Sequence, residues 1–269
     1  MLYNIIMKYF VIASIFIFSI SLQDFSAHAQ ESASSSFDYI EIIKSCNHAF
    51  VGGCVNVRSG PSRSYAKVTK FRNGIVLKID RASTTVEVSN GETWYKISFK
   101  GEKLEYPEKV NGDWYVNSTY ARPVMDVKVE NYNPDKIIND KKRIVVDLSE
   151  QTLYAYEGEV LFLKTKISTG LTDTPTTAGE YYVFTKTPSR YMQGPPKSAT
   201  GTLSAGSVYD LPGVPWDMYF SEDGSVIHGT YWHNGFGKRH SHGCVNVNLK
   251  DDETLYRWTE VGTTVLITQ

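Results

Sequence analysis

The sequence predicts an all-β protein, a small β-barrel followed by a β-sandwich. Three observations carry that expectation. Eighteen tyrosines stand against five methionines, among many Val, Ile and Thr, a composition suited to pleated, half-buried strands. Short alternating segments are separated by turn dipeptides throughout. Only residues 250–260 show helical spacing, with Leu255 and Trp258 on one side.

At 269 residues the chain is long enough for one large or two ordinary domains, and 41% hydrophobic content is enough to bury a core. A net charge of −1, with both signs well mixed, lacks the basic footprint of a nucleic-acid binder.

Residues 1–29 read as a signal peptide. Lys8 precedes the apolar run 9–20, and Ala27-His28-Ala29 supplies the small-x-small cleavage pattern. An exported protein with an extracytoplasmic place of action, and no membrane attachment after cleavage, is therefore expected. Export also sets the reading of the cysteines. Cys46 and Cys54 are most simply a disulfide in an oxidising compartment. Closing so short a loop contributes roughly 2.5 kcal/mol in the chain-entropy picture. Cys244 is then left without a partner, and an exported thiol needs either burial or a task.

Residues 30–45 read as a linker, with a Ser/Ala-rich start at 32–36. The first folded unit spans 46–120. Its strands are expected at 55–58, 75–79, 85–88, 94–98 and 114–116, punctuated by the hairpin dipeptides Asn73-Gly74, Asn90-Gly91 and Asn111-Gly112. Many short strands over so few residues imply a small barrel. Residues 121–142 are polar and charged, with Pro123 and Pro134, and read as a second linker. The second unit, 143–268, opens as a meander (143–148, 152–156, 160–167). It continues through the Gly/Thr/Pro loop 168–179 and the strand 180–184, and closes with the strand 263–267.

The stretch 227–248 gathers His228, His233, His240, His242 and Cys244. Zinc could use such ligands, but the spacings fit no usual finger or knuckle. A thiol nucleophile accounts for more. Free cysteine has a pKa of about 8.5, so a neighbouring imidazole is needed to take its proton. Gly243 before Cys244 lets the backbone approach a substrate and aim N–H groups at a developing oxyanion. His242 shares the face of Cys244 in an extended segment, while His228 closes the strand 225–229 and could reach it from a neighbouring strand. Spacing leaves both open as the base.

Two resemblances sharpen this. Cys54-Val-Asn-Val-Arg-Ser-Gly-Pro-Ser62, with Trp94-Tyr-Lys-Ile97 downstream, resembles the bacterial SH3-like domain of cell-wall proteins, as a peptidoglycan-targeting module or a spacer. Ile227-His-Gly-Thr-Tyr-Trp-His233 followed by Ser241-His-Gly-Cys-Val-Asn246 resembles the L,D-transpeptidase (YkuD) catalytic domain. The stretches 144–154, 168–183 and 213–220 resemble its opening hairpin, its Thr-Pro-Thr loop and the approach to its catalytic strand. That likeness implies a β-sandwich with Cys244 as nucleophile, His228 as base and the Gly229 carbonyl orienting the imidazole. It also implies Ser241, His242, Gly243 and Asn246 at the oxyanion or substrate, and Tyr219, Tyr231 and Trp232 along the cleft. Two positions depart from the family's usual pattern: Asn246 stands where arginine is more common, and Thr177 where a second loop proline is.

The reaction so implied cross-links peptidoglycan tetrapeptide stems, donor and acceptor, through a cysteine thioester. It releases terminal D-alanine, needs no metal or cofactor, and is open to carbapenem-type inhibitors. The alternatives are an L,D-carboxypeptidase, in which water resolves the thioester, and a non-catalytic peptidoglycan-binding protein. A thiol peptidase of the NlpC type places its cysteine before its histidine, the reverse of the order here.

Overall fold

In a computed structural model of the chain, residues 37–47, 54–81, 86–87, 91–133, 141–194 and 209–269 are described. The described residues all fall in one compact unit, 36–269. The expected signal peptide lies outside the described residues. Among those described the protein is nearly all β, with one α-helix.

The N-terminal strands are β1 (Tyr39–Ile42), β2 (Val55–Arg58), β3 (Lys67–Phe71), β4 (Val76–Lys78), β5 (Val86–Glu87), β6 (Thr93–Lys96), β7 (Tyr115–Asn117) and β8 (Ala121–Val124). Next come β9 (Glu130–Asn131), β10 (Lys142–Asp147), β11 (Thr152–Glu157), β12 (Val160–Lys166) and β13 (Gly179–Tyr182). The chain ends with β14 (Thr185–Gly194), β15 (Tyr209–Tyr219), β16 (Val226–Thr230), β17 (Val245–Asn248), α1 (Leu249–Trp258) and β18 (Thr264–Thr268). The small domain is the sheet β3-β2-β7-β6-β5, and the larger one pairs the sheets β12-β11-β10-β18-β13 and β17-β16-β15-β14-β9. Cys46 and Cys54 form the expected disulfide, with their Cα atoms 5.3 Å apart.

The stretches expected to be linkers are partly built into the fold. Residues 39–42 form β1, which pairs antiparallel with both β4 and β8. Residues 121–124 form β8 and residues 130–131 form β9, the latter paired with β14. The three-stranded sheet β4-β1-β8 is a wall shared by two cores. Alternate side chains leave a strand on opposite faces. Ile40, Ile42, Ile75 and Leu77 therefore fill the barrel core, whereas Tyr39, Val76 and Val124 fill the sandwich core. Tyr191 and Tyr231, from the sandwich, pack into the barrel core in return. Burying Ile40 and Ile42 completely contributes roughly 2–3 kcal/mol each, which is reason enough for these four residues to be recruited as a strand.

Two glycines permit the close approach at this seam. Gly213 in β15 has φ +62°, and a Cβ there would strike the Val76 carbonyl; Gly74 has φ +85°, and a Cβ there would strike Leu249. The Ser189 hydroxyl donates to the Val76 carbonyl at 2.5 Å, tying β14 to β4.

The expected helix forms at 249–258, capped where the Asn248 side chain accepts the Asp251 N–H at 3.1 Å. It packs Leu255 and Tyr256 into the sandwich core, with Trp258 half-buried beside them.

Candidate active site

The site is built on the parallel pair β16–β17, whose register places Ile227 opposite Val245 and His228 opposite Asn246. One step earlier, Cys244 enters beside Val226. Side chains two apart on a strand share a face, so Cys244 and His228 project to the same side. Both line one cavity of about 280 Å³, together with Met192, Tyr209, Leu211 and Trp232.

A serine-closed turn presents the cysteine. Ser241 Oγ donates to the Cys244 carbonyl at 2.5 Å and accepts the Gly243 N–H at 3.2 Å. Gly243 sits at φ +118°, a backbone conformation that side-chain-bearing residues rarely adopt, although a Cβ there would meet nothing closer than 3.5 Å. Conformation, rather than space, demands the glycine. The Gly243 amide, expected among the oxyanion donors, is instead spent on Ser241.

The Thr-rich loop clamps this turn from outside. Thr176 Oγ1 donates to the Gly243 carbonyl at 2.8 Å and accepts the Gly170 N–H at 2.9 Å. Leu171 N–H donates to the Ser241 carbonyl at 2.9 Å, and His240 N–H to the Thr169 carbonyl at 2.8 Å. The Ser/Thr/Gly composition of 168–179 thus has a mechanical purpose.

His228 is 1% exposed, and its Nδ1 lies 3.0 Å from the Gly229 carbonyl. A carbonyl can only accept, so Nδ1 carries the hydrogen and Nε2 keeps its lone pair. Burial lowers the His228 pKa to about 4, opposed by the Gly229 hydrogen bond and reinforced by Arg190 and His233. Burial raises the half-buried Cys244 thiol to about 11, opposed by a backbone hydrogen bond from Val226 and by the charge of Arg190. Sequence reasoning expects the imidazole to draw the thiol pKa down; here desolvation wins, and the resting pair is neutral thiol and neutral imidazole.

The other histidines have separate tasks. His233 Nδ1 accepts the Gly235 N–H at 3.2 Å, and its Nε2 faces the Asn246 amide at 2.9 Å. The Asn246 side-chain nitrogen is the atom that faces His233 Nε2, and donor and acceptor roles there follow the imidazole tautomer. His233 stacks on His240 with centroids 4.4 Å apart, and His242 stacks on Tyr209 at 5.8 Å. Trp232 lies 5.7 Å from the His228 ring and forms part of the cavity wall.

Two expected cleft residues point elsewhere. Tyr231 is buried at the seam, where its hydroxyl donates to the Pro212 carbonyl at 2.8 Å. Tyr219 lines a neighbouring cleft and lies 5.5 Å below the Arg190 guanidinium. Sequence reasoning missed Met192, Tyr209, Leu211 and Arg190. All four come from the β14–β15 hairpin, and no local motif marks them.

Fold and site together place a thiol and a tautomer-locked imidazole on adjacent parallel strands of a β-sandwich, facing one cavity. Residues 141–267 match the L,D-transpeptidase catalytic domain (YkuD) and residues 53–106 match the bacterial SH3 domain. The chain therefore carries a YkuD-type L,D-transpeptidase catalytic domain behind a bacterial SH3 domain. No curated protein sequence matches it. Among solved structures, a cysteine-to-serine mutant of the Enterococcus faecium L,D-transpeptidase is similar at 29% identity, over 48% of this chain and 50% of that one, with a TM-score of 0.42. L,D-transpeptidase 3 from Mycobacterium tuberculosis, in complex with a faropenem-derived adduct, is similar at 18% identity over 58% and 73%, with a TM-score of 0.44. The L,D-transpeptidase from Mycobacterium smegmatis is similar at 17% identity over 86% and 99%, with a TM-score of 0.45. The chain spans about half the length of the first solved relatives it matches.

Proposed function

We propose that this protein is an exported L,D-transpeptidase that cross-links peptidoglycan stem peptides through a thioester on Cys244. The observation that carries the reading is the opening of Cys244 and His228 into one cavity, with the His228 ring fixed so that Nε2 is its free base.

Cys244 Sγ attacks the carbonyl before the terminal D-alanine of a tetrapeptide stem, as its proton passes to His228 Nε2. The Gly229 carbonyl stabilises the imidazolium that forms, as a carboxylate does in other triads. The His242 and Cys244 amides serve the oxyanion, each donor being worth roughly 3–4 kcal/mol in the transition state. The imidazolium returns its proton to the leaving D-alanine nitrogen. An amine from a second stem then displaces the thiolate, forming the cross-link. No step calls for a metal or cofactor. A wall-facing location agrees with the disulfide, since such bonds persist in oxidising compartments, and with the pairing of bacterial SH3 and catalytic domains. Solved relatives bear an avibactam carbamoyl group, a faropenem-derived adduct and an ertapenem acyl group; carbapenem-type acylation of Cys244 is proposed here by analogy.

The test is mass spectrometry of the protein incubated with disaccharide-tetrapeptide, beside Cys244→Ala. D-alanine loss with dimer formation in the wild type alone supports the reading. Loss without dimers moves the assignment to an L,D-carboxypeptidase, and no change in either sample moves it to a wall-binding protein.

A further inference from the structure

A second cleft, of about 660 Å³, lies against the catalytic cavity. One wall comes from the barrel domain: Lys78 on β4 and the turn carrying Lys100, Glu102 and Lys103. The opposite wall comes from β14 and β15, through Thr187, Arg190 and Tyr219. Gly224 lines both this cleft and the cavity of Cys244, so the two spaces share a wall.

The charge of the cleft departs from that of the chain. Lys78, Lys100, Lys103 and Arg190 face only two carboxylates, Glu102 and Glu222, whereas the chain as a whole has a net charge of −1. Glu102 accepts the Tyr191 N–H at 2.9 Å, and burial holds its pKa above the usual value. None of the four cations forms an ion pair among the described residues. Arg190 is half-buried, lies over the Tyr219 ring at 5.5 Å, and its charge acts on Cys244. A concave site with an excess of one sign and low-dielectric walls focuses its field on an incoming ligand of opposite charge.

We propose that this seam cleft is the acceptor subsite: it holds the second stem peptide by its carboxylates and delivers that peptide's amine past Gly224 to the thioester. The proposal rests on the transpeptidase reading above and deepens it. The cavity of Cys244, at about 280 Å³, is smaller than the seam cleft, and a two-substrate reaction requires a place for the acceptor with access to the same carbon. In the step served, the amine nitrogen forms a bond to the thioester carbonyl carbon and the C–S bond breaks. The proton shed by the amine passes to His228 Nε2 and on to the departing sulfur, restoring the neutral pair. The barrel domain is then part of the enzyme's acceptor site and not a spacer.

The experiment uses the full chain with disaccharide-tetrapeptide as both donor and acceptor, quantifying cross-linked dimer and hydrolysed tripeptide by mass spectrometry. The double variant Lys100→Glu/Lys103→Glu reverses two exposed charges of the cleft, and Lys109→Glu, an exposed lysine outside it, is the control. The dimer-to-tripeptide ratio is expected to fall roughly tenfold in the double variant, equivalent to about 1.4 kcal/mol, and to stay at the wild-type value in the control. D-alanine release with an unmoved ratio in the double variant overturns the acceptor assignment alone. Absence of D-alanine release from the wild type overturns the reading beneath it.

Discussion

The neutral state of the Cys244–His228 pair has a consequence that can be measured. Burial holds the imidazole near a pKa of about 4 and the thiol near about 11. Moving the proton from sulfur to nitrogen at rest is therefore uphill. At pH 7 about one thiol in ten thousand is ionised. Thiolate is the reactive form toward iodoacetamide, so the alkylation rate of Cys244 should climb about tenfold per pH unit from pH 6 to pH 10 with no plateau. His228→Ala should leave that profile in place, because the resting imidazole does not hold the proton, yet lower acylation by stem peptide about 10²–10⁴-fold through loss of the general base. The base must be neutral to work, so the acid limb of kcat/KM belongs near pH 4 and not near 6.5. A rate plateau reached below pH 7 would reveal a standing thiolate–imidazolium pair and refute this account of activation.

Three further outcomes follow from individual residues. Gly243→Ala forces a side chain into φ +118° and should destabilise the turn by about 1–3 kcal/mol, seen as a lower Tm and a loss of carbapenem acylation. Ile40→Ala empties a fully buried position in the shared wall; calorimetry should show a loss of about 2–5 kcal/mol, with barrel and sandwich still melting as one transition. Asp217 and Asp252 are buried carboxyls whose pKa values desolvation raises well above 3.8. A raised folded-state pKa gives stability that is complete below the unfolded value and lost as pH rises through the folded one. The Tm should therefore fall as pH rises above the unfolded carboxyl value of about 4, and Asp217→Asn should flatten that slope.

Much of the molecule is legible in its sequence where local chemistry decides the structure. The opening meander is written in alternation, and 144–147 and 152–156 pair as β10 and β11. Asn73-Gly74 turns as its glycine allows, with φ +85°. The proposed nucleophile stands out because Ser241, Gly243 and Cys244 fall within four residues, and the serine and glycine shape the turn. What stays hidden depends on distant partners. β1 is only four residues in a polar stretch, and nothing local says that its two faces enter two cores. Pro188, Pro212 and Pro215 argue against strands, yet β14 and β15 form the longest hairpin among the described residues and supply Met192, Tyr209 and Leu211 to the cavity wall. β16 is buried at every position, so alternation cannot show which neighbours face the thiol, and Tyr231, just past its end, turns into the seam. Arg190 reaches the site from more than fifty residues away along the chain, outside the span of any motif.

The claim at the centre of this account is covalent chemistry at Cys244. Its most direct test is peptide-mapping mass spectrometry of the protein quenched in acid after brief exposure to disaccharide-tetrapeptide. The account predicts a hydroxylamine-labile adduct, with the mass of the stem less D-alanine, on the peptide that contains Cys244, trapped in greater amount when the acceptor is scarce. Turnover of the substrate by Cys244→Ala, or an adduct on any other residue, would contradict it.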